Sequence, residues 1–179
     1  DASRSFLTNG KDDSGNSWSS IKSLPDYAHD QDEYNSTDEI YCKRDNSGAA
    51  PTNMVIFTAG GYEFQGGAHG SPYQLGVVNY DCQQGHVVSY DDIIRPGSDS
   101  KILNLLIASG GYDRSMGTPN RIPKDMMTIY SDRIKFAYGV YEIGSYADGE
   151  VELTLSLSQI ESFLTDYGKE LFARPQVEY

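Results

Sequence analysis

From residue 133 to residue 157, apolar and polar side chains alternate wherever the chain reads as strand. A period of two sends successive side chains to opposite faces of a sheet. Ile134, Phe136 and Tyr138 point one way and Arg133 and Lys135 the other. Val151, Leu153, Leu155 and Leu157 then alternate with Glu150, Glu152, Thr154 and Ser156. One dry and one wet face mean an antiparallel sheet whose dry side needs a cover. That cover follows directly in the chain. Ser158 with Glu161 three residues on reads as a capping box. Ile160, Phe163, Leu164, Tyr167 and Leu171 fall on one helical stripe, which Gly168 is expected to break or kink. The fold class is therefore α+β: an antiparallel sheet with helices packed on one face.

Upstream, residues 40–44 and 54–58 read as a hairpin with a long connection. A third strand over 73–80 would set Tyr73, Leu75 and Val77 on one face. After a turn at 81–85, residues 86–90 return, completing a meander. Ser98 or Asp99 caps a short helix bearing Ile102, Leu103, Leu106 and Ile107, and Gly110-Gly111 stops it. Residues 112–124 are expected to be loop, and a strand resumes over 128–130.

The 179 residues suffice for one core without a disulfide or metal framework. A formal charge of −12 opposes binding to nucleic acid or anionic lipid, both of which require clustered Lys and Arg. No apolar run approaches the roughly 20 residues of a membrane span. The chain begins at Asp1 with no visible leader, which suggests a processed or trimmed protein. Residues 1–36 are rich in Asp, Ser, Asn and Gly, and 26–39 holds six acids and no base, the pattern of a solvated segment. Cys42 and Cys82 either form one disulfide, worth about 3–4 kcal/mol for a loop of that length, or stay as two free thiols.

Chemistry-bearing motifs are sparse. His29, His69 and His86 have no second ligand at metal-binding spacing, so neither a metal nor a cofactor is expected. Nucleophile elbows and phosphate-cradling glycine loops are missing as well. Two strings stand out. In the first, YEFQGGAHG over 62–70, Gly67 permits close backbone approach, and His69 reads as a general base, as a hydrogen-bonding residue at a binding edge, or as a structural histidine bonded to a main-chain carbonyl. In the second, 138–149, Tyr141 and Tyr146 present apolar bodies with polar tips, as tyrosines at protein- and sugar-contacting surfaces do. Glu142, between them, would serve a hydrolase only with a second carboxylate at a defined separation.

Taken in order, these strings resemble a known family. Residues 62–70 resemble its Y-x-Y-T-G-G-A-H-G signature, and Tyr80-Asp81, Gly85 and 89–94 resemble F-D-x-x-T-G-K-x-L-x-L-x-D-L-F. Residues 128–136 resemble F-x-L-T-x-x-G-I-x-F, and YEIGSYADG over 141–149 resembles Y-E-I-A-P-Y-A-A-G. Gln65, Ser145 and Asp148 depart from the pattern. The family is the domain of unknown function in the extracytoplasmic part of the lysozyme-sensing anti-sigma-V factor. It also precedes the catalytic domain of a peptidoglycan deacetylase, and it occurs in secreted and lipid-anchored proteins of Bacteroidetes. The resemblance implies a divergent or trimmed N-terminal segment over 1–47 and a family-like α+β domain over 48–179. It further implies an exported, extracytoplasmic binding module, not an enzyme, that recognises a lysozyme-like protein or a peptidoglycan glycan. Tyr62, Gly67, His69, Tyr141, Glu142 and Tyr146 are its candidate binding residues. The alternative is a polysaccharide or cell-wall hydrolase using Glu142.

Overall fold

The strands form two antiparallel sheets in the computed structural model, which describes residues 37–47, 49–64 and 71–175. In the first, β1 (Thr37–Arg44), β2 (Met54–Phe64), β3 (Ser71–Asp81) and β4 (His86–Val87) pair in chain order as the expected meander. The second contains β5 (Met127–Ile129), β6 (Arg133–Tyr138) and β7 (Val151–Ser156) in the order β5-β6-β7. Helices α1 (Tyr90–Ile93) and α2 (Asp99–Ser109) lie between the sheets in sequence. After β7 come α3 (Leu157–Ile160) and α4 (Asp166–Phe172).

The period-two reading of β6 and β7 holds except at Ala137, which is buried between Phe136 and Tyr138. Ile134, Phe136, Tyr138, Val151, Leu153 and Leu155 are buried, while Glu152 and Thr154 are exposed. Ile102 and Leu106 of α2, Ile160 of α3 and Leu171 and Phe172 of α4 join the same core. Each fully buried aliphatic chain contributes roughly 1.5–3 kcal/mol, so this dry face dominates the stability. Among the described residues no helix is long and apolar enough to cross a membrane.

One side chain stitches the two sheets together. The buried Asn79 of β3 donates from Nδ2 to the Met127 carbonyl at 2.7 Å, and its Oδ1 accepts from the Ile129 amide at 3.0 Å. Its amide thus occupies the place that a peptide group of a neighbouring strand would take against β5. A second anchor is Asp81, fully buried at the end of β3. It accepts from Arg174 Nη2 at 2.9 Å, Tyr167 Oη at 2.8 Å, and the Gln83 and Gln84 amides. Burial alone would raise its pKa. The hydrogen bonds from Arg174, Tyr167 and the two amides outweigh that and hold it at about 2.

Several local details differ from the sequence expectation. Ala59 pairs with Gly76 but Gly60 pairs with Gln74, so Leu75 has no partner across the ladder. This bulge turns Leu75 out to solvent (53% exposed), away from the core against which Val77 packs. Strand β4 stops after two residues because Tyr90 enters α1 and is buried there. The helix after β7 is capped by Ser156, whose amide and hydroxyl donate to Gln159 Oε1, and not by Ser158 with Glu161. Leu157 consequently begins α3 instead of ending the strand.

The break in the helical stripe falls at Leu164-Thr165, not at Gly168. Leu164 bridges Ile94, the Thr165 amide donates to the Ile93 carbonyl at 2.9 Å, and Thr165 Oγ1 donates to the Asp92 carbonyl at 2.6 Å. Tertiary pairing with the end of α1 thus replaces helix hydrogen bonds. Gly168 sits inside α4 for a different reason. A Cβ there would lie 2.6 Å from the Ile93 carbonyl oxygen, so glycine is what allows the two helices to approach.

The cysteines remain free thiols. Cys42 pairs with Ala59, which pairs with Gly76, whereas Cys82 follows Asp81 at the far end of β3. At about 3.3 Å per residue that offset is roughly 20 Å, well beyond the ~7 Å limit for disulfide-bonded Cα atoms.

Candidate functional site

The stretch from Tyr138 to Val151 is a sequence of tight local closures that ends by presenting two tyrosines. Tyr138 finishes β6 buried, its hydroxyl donating to the Arg121 carbonyl at 2.9 Å. Burial pushes its pKa up to about 12. The next turn is closed twice: the Glu142 amide donates to the Gly139 carbonyl, and the Gly139 amide donates to Glu142 Oε2 at 2.8 Å. Glu142 Oε1 also accepts from Arg121 Nη2 at 2.6 Å and Nε at 3.0 Å. Both carboxylate oxygens of Glu142 are therefore engaged.

Clamped this way, the turn forces Tyr141 to a φ of +66°, the left-handed region in which a bulky side chain is strained. The residue is 69% exposed. Ile143 and Gly144 then dive into the core, and a Cβ on Gly144 would lie 2.8 Å from a Val151 methyl. Ser145 caps the short 3-10 turn Tyr146–Asp148, its amide and hydroxyl donating to Asp148 Oδ2 at 2.8 and 2.7 Å. This turn brings the Tyr146 ring to 6.0 Å from that of Tyr141, inclined at 37°. The two tyrosines form an outward-facing aromatic pair on a rigid base.

Beside the turn that carries Tyr146 lies a groove of about 480 Å³ between residues 111–113 and the start of β7. Asp113, Asp148, Glu150 and Glu152 contribute four carboxylates to its lining, and none of the lining residues is Lys or Arg. Hydrogen bonds from the Ser115 hydroxyl and amide hold Asp113 below the usual carboxylate range, despite the like charge of Asp148, which acts to raise it. Those from Ser145 do the same for Asp148. Both acids are ionised at neutral pH. Glu152 is paired with Lys135 on the wet face at 2.7 Å.

The six residues singled out from sequence do not converge on one site. Tyr141, Glu142 and Tyr146 share the turn after β6. Tyr62 belongs to the other sheet, on β2, opposite Glu39 and Pro72. Gly67 and His69 lie outside the described residues. His86 is exposed on β4, its ring 5.6 Å from that of Tyr167. Among the described residues no group of three or more His, Cys, Asp or Glu is placed to hold a metal ion. Sequence reasoning missed the groove: Glu150 and Glu152 alternate with Val151 at the start of β7, but Asp148 joins them from a 3-10 turn and Asp113 from a distant loop, which no strand period reveals.

No family model matches this sequence, and none of the curated proteins does. Solved structures do match by shape. A DUF3298 family member from Bacteroides fragilis NCTC 9343 superposes with a TM-score of 0.65 at 21% identity, over 80% of this chain and 60% of its own. A DUF3298 family protein from Pseudomonas aeruginosa PAO1 superposes at 0.57 and 19% identity, over 72% of this chain and 62% of its own. The chain thus spans about three-fifths of the length of these proteins. It has the α+β fold of DUF3298 family proteins.

Proposed function

We propose that this chain is a non-enzymatic binding module of the bacterial cell envelope, working outside the cytoplasm, that recognises a basic, lysozyme-like protein. The contact runs through Tyr141, Tyr146 and the acidic groove beside them. The observation that carries this reading is Tyr141. A strained backbone holds a large ring in solvent, next to a second tyrosine and a row of carboxylates. Such strain persists only where the surrounding structure enforces it, and it concentrates at functional positions. Exposed aromatic anchors beside a charged rim are the ordinary make-up of a protein-recognition surface. The resemblance of 62–70 and 141–149 to the lysozyme-sensing domain supports the class of partner. An acidic surface also accelerates encounter with a basic protein.

The engagement of Glu142 with Arg121 and Gly139 favours this reading over a hydrolase, which would need that carboxylate free to exchange a proton with substrate. The test is a binding measurement against a panel of lysozymes and peptidoglycan fragments at two salt concentrations. Micromolar or tighter binding to a lysozyme is expected, weakened by salt and reduced at least tenfold by Tyr141→Ala. Binding to peptidoglycan fragments alone, or to nothing in the panel, would overturn the proposal.

A further inference from the structure

Strand β7 has an open edge, and the groove lies against it. The direction of each backbone group follows from hydrogen bonds on the far side of the sheet. Met127 O and Ile129 N face Asn79 on β3, so Thr128 is the residue of β5 that exchanges hydrogen bonds with Lys135 of β6. The even-numbered residues of β6 therefore face β7. There they meet Val151, Leu153 and Leu155, the partners of Tyr138, Phe136 and Ile134. The Leu157 amide donating to the Asp132 carbonyl at 2.7 Å continues the same phase. This leaves the N–H and C=O groups of Glu152 and Thr154 pointing away from the sheet. Among the described residues nothing pairs with them.

We infer that this edge takes an added strand: an extended segment of the partner with Lys or Arg at alternate positions. Its main chain pairs with Glu152 and Thr154, and its basic side chains lie on the wet face toward the groove. Main-chain pairing of this kind supplies affinity, and the alternate side chains supply selectivity. Charge chooses among the candidate occupants. A second copy of this chain would bring two Glu152-bearing edges together, and like charges opposite each other destabilise a strand pair. The chain's own 26–39 stretch, with six acids and no base, is equally mismatched to a groove lined by four carboxylates. A basic segment is the complementary one. This inference rests on the reading of the chain as a binder of basic protein, and it specifies the partner's conformation at the contact.

The decisive variant is Thr154→Pro in the whole chain. Proline removes one outward N–H and obstructs the edge while sparing every bond to β6, and proline is tolerated on a strand edge for that reason. The probe is a capped eight-residue peptide of alternating lysine and threonine, alongside a copy N-methylated on every residue, which leaves neither edge of the peptide with a free N–H. The expected result is protection of the Glu152 and Thr154 amides from hydrogen exchange on adding the peptide. At least tenfold weaker binding to Thr154→Pro, and no binding of the methylated copy, should accompany it. Equal affinity of both peptides for the unaltered chain would overturn the inference even if Thr154→Pro failed to fold, because it would leave charge alone as the contact. Lysozyme binding that is lost in Tyr141→Ala but kept in Thr154→Pro would sink the added strand and leave the tyrosine surface standing.

Discussion

Asp81 and the two groove aspartates, Asp113 and Asp148, are the same chemical group put to opposite uses. Asp81 is fully buried, and every contact around it answers its charge: Arg174, Tyr167 and two backbone amides. Asp113 and Asp148 are exposed and are held ionised by local serine caps that add no positive charge. The first arrangement consumes the carboxylate's electrostatic potential inside the molecule. The second leaves it projecting into a cleft. A charge that is neutralised at home stabilises the fold, and one that is left open is available to a partner.

The sharpest way to break this comparison is Asp81→Asn. Removing one member of a buried pair leaves the other uncompensated, at a cost of about 3–5 kcal/mol. Arg174 is poorly placed to absorb the loss, since its Nε and Nη1 are already buried with no hydrogen-bond partner among the described residues. Denaturant unfolding should show a loss near 3 kcal/mol, with Glu170 at 3.2 Å retaining part of the attraction. Asp148→Asn should stay within about 0.5 kcal/mol of the parent. Equal costs for the two variants would dissolve the distinction.

Acid titration gives the next largest effect. Asp81 titrates near 2 in the fold against an ordinary value of 3.8. Its contribution of about 2 kcal/mol is thus fully present above pH ~4 and lost as the pH falls toward ~2. Stability measured across that window should decline less steeply in Asp81→Asn than in the parent. The smallest effect is expected at Tyr141→Gly. Relieving the positive φ should raise stability by about 0.5 kcal/mol while partner binding falls. A stabilised variant that still binds would show that the strain serves no purpose in recognition.

What could be read from the chain alone follows the range of the interactions involved. The inward residues of β6 and β7, the meander and the helix over Asp99–Ser109 were legible because each depends on neighbours within a few positions. The bulge at Leu75 was not, because an unpaired residue shows only when two strands are set side by side. Nor was the break at Thr165, which is imposed by carbonyls of Asp92 and Ile93 some seventy residues earlier. The site divides in the same way. The tyrosines could be seen as a local string, and so could the outward Glu150 and Glu152 around Val151, whereas Asp148 and Asp113 reach the same groove from a 3-10 turn and a loop. The pairing of Glu142 with Arg121 spans 21 positions and has no sequence period.

Asn79 carries one more consequence. A single side-chain amide closes the gap between a four-stranded and a three-stranded sheet, and its two hydrogen bonds cross 48 and 50 positions of chain. Neither sheet can open at that seam without stripping a buried polar group of both its partners, a penalty in the kilocalorie range. The seam therefore couples the melting of the meander to that of the sheet bearing the tyrosine turn, so that the cooperative unit of unfolding crosses the boundary between the sheets. Rigidity at the tyrosine turn is in this sense inherited from an asparagine of the other sheet.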